Sequence, residues 1–213
     1  MQGVLQERIG IFGGTFNPVH IGHLLLAQSA ADRLELSRVL FVPCGLPPHK
    51  SHSGLASAQH RFEMLSLALE GDLRFEASDI EIRRGGCSFT IDTVKELRAG
   101  NPSAKFYFLI GVDSLFELHL WKDIHRLLEL CEFAAFGRGG NALDDPRPEQ
   151  IQLNPPWPEK LAAGYVRGRR IDVSSSEIRH RVAEGLSIRY LVPQAVEVYI
   201  AEHGLYRGGG SSL

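Results

Sequence analysis

The stretch Gly13-Gly14-Thr15-Phe16-Asn17-Pro18-Val19-His20-Ile21-Gly22-His23-Leu24 restricts what this chain can become more than any other. It follows a short apolar run, Ile9 to Phe12, that reads as a buried strand, and it leads into a helical pattern beginning near Ile21. Strand, glycine-rich turn and helix N-terminus therefore come in succession. Paired glycines let backbone approach a ligand with no Cβ in the way. The free N–H groups and positive dipole end of a following helix favour an anion there. His20 and His23 are three apart, so within a helix they share a face. Gly22 between them leaves room for a ring or a ribose. The expectation is a phosphate site with two imidazoles directed into it. A single histidine at a helix start would be read as a cap or a surface residue, but two flanking a glycine behind Gly-Gly-Thr resist that reading. Zinc is the weaker alternative, because the pair has no nearby third ligand.

Composition narrows the partners. A formal net charge of −2 and the absence of a dense Lys/Arg block argue against nucleic acid, so an anion must be gripped locally. Cys44, Cys87 and Cys131 are widely spaced with no CxxC, which suggests a reducing, cytoplasmic setting without disulfides or a zinc knuckle. No apolar run reaches the roughly 18 residues that span a membrane, and no signal peptide opens the chain. With 213 residues and an ordinary apolar fraction of 44%, one substantial domain is expected.

After the opening segment, Leu24, Ala27, Ala31 and Leu34 recur at helical spacing, and Val39 to Val42 reads as a second strand. That makes a right-handed βαβ unit. The loop Cys44-Gly45-Leu46-Pro47-Pro48-His49-Lys50 leaves a strand's carboxyl end, the edge at which open α/β sheets bind ligands. Ser57 to Leu69 is expected as a helix capped by Ser57, with Phe62, Leu65 and Leu69 on its apolar stripe. Arg61 on that helix could reach a ligand or form a surface ion pair with a nearby acid, and the ion pair is the preferred reading. Leu73 to Ile82 alternates like a strand, and a turn ending at Ser88-Phe89-Thr90 precedes a helix from about Ile91 to Leu97, capped by Thr90 or Ser88. Phe106 to Ile110 reads as a strand buried on both faces, ending at Gly111-Val112-Asp113-Ser114. Phe133 to Phe136 is a further strand. Asn141 to Pro158 shifts to Pro, Asp and Asn and reads as a long excursion or flap. A short strand is expected over Arg170 to Val173. Ser174-Ser175-Ser176-Glu177-Ile178-Arg179 then starts a helix where serines and Arg179 could form a second anion grip. Pro193 opens a last helix.

GGTFNPVHIGHL resembles the opening signature of the nucleotidyltransferase superfamily. FVPCGLPPHK, RRGGCSFTIDTV, FLIGVDSLFELHLW, IDVSSSEIR and YLVPQAVEVYI, in order from about Ile9 to Tyr206, are similar to the bacterial nicotinate-nucleotide adenylyltransferase family. The Pro-Pro-His-Lys and Ser-Phe-Thr-x-Asp-Thr blocks narrow the superfamily to that family. The resemblance implies an α/β fold: a Rossmann-like, doubly wound, mostly parallel sheet with helices on both faces. It implies one nucleotidyltransferase domain over residues 8–206 with a small C-terminal helical extension, and a flexible tail over 207–213. The family reaction joins ATP and nicotinate mononucleotide, giving nicotinate adenine dinucleotide and pyrophosphate, with Mg²⁺ accompanying the ATP.

By resemblance, His20, His23 and Arg179 are the catalytic residues. Gly13, Gly14, Thr15, Phe16, Gly22, Gly111, Asp113, Ser175 and Ser176 join them in binding ATP. Asn17, His49, Lys50, Phe89, Thr90 and Trp121 bind the mononucleotide, with no protein metal ligand. Asn17 stands where many relatives carry Asp, Phe89 where Tyr is frequent, and Cys44 where Ala is frequent. The phosphopantetheine adenylyltransferase lacks the two narrowing blocks. A tRNA-synthetase fragment would need a basic face and a Lys-Met-Ser-Lys-Ser signature, and a non-catalytic nucleotide sensor would lack a signature His or Arg179. The expected partners are these two small molecules, with neither nucleic acid nor membrane; a homo-oligomer is compatible with the sequence.

Overall fold

The computed structural model describes residues 6–45, 54–137, 145–168 and 171–207. Its frame is a six-stranded parallel sheet in the order β3-β2-β1-β4-β5-β6. The strands are β1 Arg8–Gly14, β2 Arg38–Pro43, β3 Phe75–Ala77, β4 Lys105–Gly111, β5 Glu132–Phe136 and β6 Tyr165–Val166. The order reverses between β1 and β4, so their carboxyl ends lie side by side, with Ile11 opposite Phe108. A ligand crevice opens at such a switch point.

The strands are apolar in both phases, as burial on two faces requires. Ile9, Ile11, Leu40, Val42, Phe106, Phe108, Ile110, Phe133 and Ala135 turn to one face. There they meet α3 Ile80–Arg84, α4 Thr90–Gly100, α5 Val112–Leu115, α6 Ile124–Leu130 and α7 Trp157–Ala163. Phe12, Val39, Phe41, Tyr107, Leu109, Ala134 and Phe136 turn to the other face. These pack on α1 Ile21–Arg33, α2 Ala58–Leu69, α8 Ser175–Ala183 and α9 Gln194–Glu202. The doubly wound α/β architecture expected from the sequence is what forms, and every strand pairing is parallel.

Several local expectations are corrected. The alternating run from Leu73 to Ile82 is strand only over Phe75–Ala77, and its end turns into α3. α4 starts at Thr90 with Phe89 as its cap residue, so neither Ser88 nor Thr90 caps it. The last strand is Tyr165–Val166, whereas 171–173 form none and Arg170 lies outside the described residues. Of the Pro-rich excursion, 145–158 holds a 3₁₀ turn, Pro148–Gln150, and the start of α7, where Pro158 fits the first turn that needs no N–H. Residues 141–144 lie outside the described set, as do 208–213 of the expected tail. Pro193 is the cap residue before α9 rather than its first member.

Candidate active site

The strand-to-helix turn brings the two imidazoles together by a route the sequence did not suggest. His20 is extended, at φ −146° and ψ 170°, and precedes α1 instead of belonging to it. Its ring nevertheless stacks on that of His23, with centroids 3.7 Å apart. The His20 backbone N–H donates to His23 Nδ1 at 3.2 Å. With Nδ1 accepting, the neutral His23 ring carries its hydrogen on Nε2. Gly22 permits the stack, since a Cβ there would stand 3.0 Å from the His20 ring. Phe16 is buried and meets His23 edge-on at 5.0 Å, which fixes the ring from behind.

The amides at the start of α1 are used within the chain. Ile21 N–H donates to the Leu191 carbonyl and His23 N–H to the His20 carbonyl. These two amides are therefore not directed at the cavity that the imidazoles border. The imidazoles line this cavity of about 230 Å³ with Gly22, Phe136, Ile171 and Ser175.

α8 docks its first turn on the signature. Ser174 caps the helix by accepting from Glu177 N–H, the Ser175 hydroxyl donates to the Pro18 carbonyl at 2.8 Å, and Arg179 Nη1 donates to the Asn17 carbonyl at 2.8 Å. Arg179 Nη2 donates to Ser176 Oγ at 3.2 Å. Asn17 itself is buried, and its amide is committed to the protein. Nδ2 donates to the Gly54 carbonyl, while Oδ1 accepts from Ala56 N–H and from the Tyr206 hydroxyl at 2.8 Å. Burial raises the Tyr206 phenol's pKa, against the pull of the Arg179 and Arg61 charges. The side chain of Asn17 thus braces the turn.

A second cavity, about 330 Å³, opens on the other strand ends. Gly13, Gly14 and Thr15 form one wall; Cys44, Glu81, Ser88, Thr90, Thr93, Gly111, Ser114 and Trp121 complete much of the rest. Trp121 is half-buried, edge-on to Phe108, so it is both core and lining. Thr93 Oγ1 donates to the buried Glu81 carboxylate at 2.6 Å.

Some of the expected residues divide between the two hollows, and Arg179 lines neither. His20, Gly22, His23 and Ser175 share the first, while Gly13, Gly14, Thr15, Thr90 and Trp121 share the second. Gly111 lines the second cavity, away from the histidines, and Asp113 is exposed and lines neither. The side chain of Phe16 is buried, and that of Phe89 is half-buried against the core with the Lys122 ammonium 4.2 Å from its ring centroid. Ser176 is exposed at the edge of α8. His49 and Lys50 lie outside the described residues.

Sequence reasoning did not single out Glu81 or Tyr206, took Ser88 only as a cap, and preferred a surface ion pair for Arg61, which is 1% exposed and pairs with no acid among the described residues. A signal existed for Arg61. It stands in helical phase with the buried Met64, Leu65 and Leu69, on the stripe that faces the sheet.

A family model described as cytidylyltransferase-like matches residues 11–181. A relative in Geobacillus kaustophilus, named as probable nicotinate-nucleotide adenylyltransferase, is 44% identical over 93% of this chain and 86% of its own. One of the same name in Halalkalibacterium halodurans is 44% identical over 94% of this chain and 92% of its own. The chain belongs to the nicotinate-nucleotide adenylyltransferase family. The fold agrees with a solved Plasmodium falciparum nicotinic acid mononucleotide adenylyltransferase complexed with NaAD. That structure superposes at a TM-score of 0.73 and 20% identity, covering 94% of this chain and 98% of the other. No helix among the described residues is long and apolar enough to cross a membrane.

Proposed function

We propose that the protein joins ATP to nicotinate mononucleotide, with the triphosphate at the His20–His23 cavity and the mononucleotide in the cavity of Thr90 and Trp121. The observation that carries this assignment is the shared wall: both hollows border the one strand-to-helix segment, the first along His20 to His23 and the second along Gly13 to Thr15. A phosphate oxygen of the mononucleotide attacks the α-phosphorus of ATP, and the bond to the bridging oxygen of pyrophosphate breaks. A phosphate is already nucleophilic at neutral pH, so no general base is required. Catalysis then consists of alignment and of donors placed where negative charge builds. The Nε2–H of His23 is such a donor, while Ser175, on the same cavity wall, and Arg179 hold the signature turn through the Pro18 and Asn17 carbonyls. Lys50 keeps its assignment to the mononucleotide phosphate on family resemblance alone.

Enzymes of this kind use a divalent cation with ATP. Among the described residues no three His, Cys, Asp or Glu side chains gather to hold one. Mg²⁺ prefers phosphate oxygens and keeps several waters, so it would arrive with the triphosphate. The cation would neutralise charge on the phosphates, and the chain's part is to orient the nucleotide that carries it.

The test is pyrophosphate release from ATP with nicotinate mononucleotide, nicotinamide mononucleotide or phosphopantetheine as acceptor. The acid form should be used best, because backbone N–H donors suit a carboxylate and leave an amide half-paired. Equal use of both pyridines removes the acid preference, and use of phosphopantetheine alone removes the assignment.

A further inference from the structure

Arg61 is a buried cation with no carboxylate partner among the described residues, 1% exposed, and bound only to carbonyls and a thiol. Its Nη1 donates to the Thr15 carbonyl at 2.9 Å, Nη2 to the Gly45 carbonyl at 2.9 Å and Nε to the Ala56 carbonyl at 3.1 Å. Cys44 Sγ lies 3.7 Å from Nη1. These acceptors come from three separate stretches: the signature turn, the end of β2 and the lead-in to α2.

Burying a guanidinium without a counter-ion is costly, and an apolar side chain would serve a helix–sheet contact better. What a guanidinium offers instead is a rigid planar fork that fixes several acceptors relative to one another, which a lysine cannot do. The Thr15–Phe16 peptide is trans, so holding the Thr15 carbonyl toward Arg61 points the Phe16 N–H the opposite way. Two residues on, Arg179 holds the Asn17 carbonyl. The turn is thus gripped at Thr15 from α2 and at Asn17 from α8. Gly45 carries the grip to the second cavity, since a Cβ on it would lie 3.6 Å from Ser88 Oγ, and Cys44 and Ser88 line that cavity.

We propose that Arg61 is a positioning residue for nucleotidyl transfer, whose fork sets the Gly13–Asn17 turn against the wall of the second cavity without touching either substrate. This rests on the adenylyltransferase reading, and two readouts keep the claims apart. The variants are Arg61→Lys, which keeps charge without the fork, Arg61→Met, which loses both, and Arg61→Ala. All are assayed below their thermal transitions.

In the first readout, turnover at saturating substrates should fall about 10²-fold in the Lys and Met variants alike, the scale of a displaced reacting group. Added guanidinium, but not ammonium, should restore part of the activity of Arg61→Ala. In the second, hydrogen exchange should quicken at residues 13–17 and 44–45 in every variant while the β4–β5 core stays protected. Folded Lys and Met variants with wild-type turnover, or unchanged exchange at those segments, overturn the assignment. Wild-type protein that releases no pyrophosphate removes the adenylyltransferase reading instead, and the exchange result then judges the clamp by itself.

Discussion

His23 shows how one backbone amide and two neighbouring rings can aim a side chain. Its Nδ1 is occupied by the His20 N–H, its face by the His20 ring and its edge by Phe16, so the remaining nitrogen has one direction in which to donate. Replacing His23 with Ala should lower turnover by about 10²–10³, the cost of losing one preorganised donor to a developing charge; wild-type turnover would refute its role. That these two rings would share one pocket was legible because both histidines and the glycines lie within a dozen residues. The work of Asn17 and Arg61 was not. Asn17 finds its partners at Gly54, Ala56 and Tyr206, and Arg61 finds backbone carbonyls from three stretches. Carbonyls carry no residue-type signature, so nothing in the letters marks which side chain will collect them.

Among the elements, α8 has its position decided by its first turn. Ser174 caps it, Ser175 ties it to Pro18, and Arg179 ties it to Asn17. Ser174→Ala should cost about 1 kcal/mol of stability, and because the helix start borders the histidine cavity it should raise KM for ATP more than for the mononucleotide. Denaturant unfolding and steady-state kinetics read the two effects, and equal rises in both KM values would misplace α8. The strands β1, β2, β4 and β5 could be read from their apolar runs, since burial on both faces leaves little choice of residue. β3 was read within too long a run, and β6 was not read at all. Each is short, and the run that suggested β3 ends in the helical turn of α3. A period of two over a few residues does not separate such a strand from the helix that follows it.

For the molecule as a whole, acid–base behaviour follows from what the sheet covers. Burial pushes the Cys131 thiol from its ordinary 9.0 up to about 12, Arg98 pulling it down and Glu132 adding to the rise. The folded protein keeps this proton at a pH where the unfolded chain has released it. The unfolded state therefore binds fewer protons, and stability falls as pH rises. The contribution is complete below about 9 and lost by about 12. The Tyr206 phenol, also raised by burial, acts in the same direction in the alkaline range. Denaturation midpoints measured from neutral to strongly alkaline pH should decline from about 9, and Cys131→Ala should flatten that decline. A flat wild-type profile would contradict the burial of the thiol.

Tyr206 has a consequence for how the molecule comes into being. Its hydroxyl meets Asn17 across 189 positions of chain. During synthesis the signature turn leaves the ribosome early, while the residue that completes its bracing arrives only with the final helix. A nascent chain can therefore hold both histidines and the first strands long before the loop beside them is tied down, and nucleotidyl transfer should begin only once the last helix has folded back.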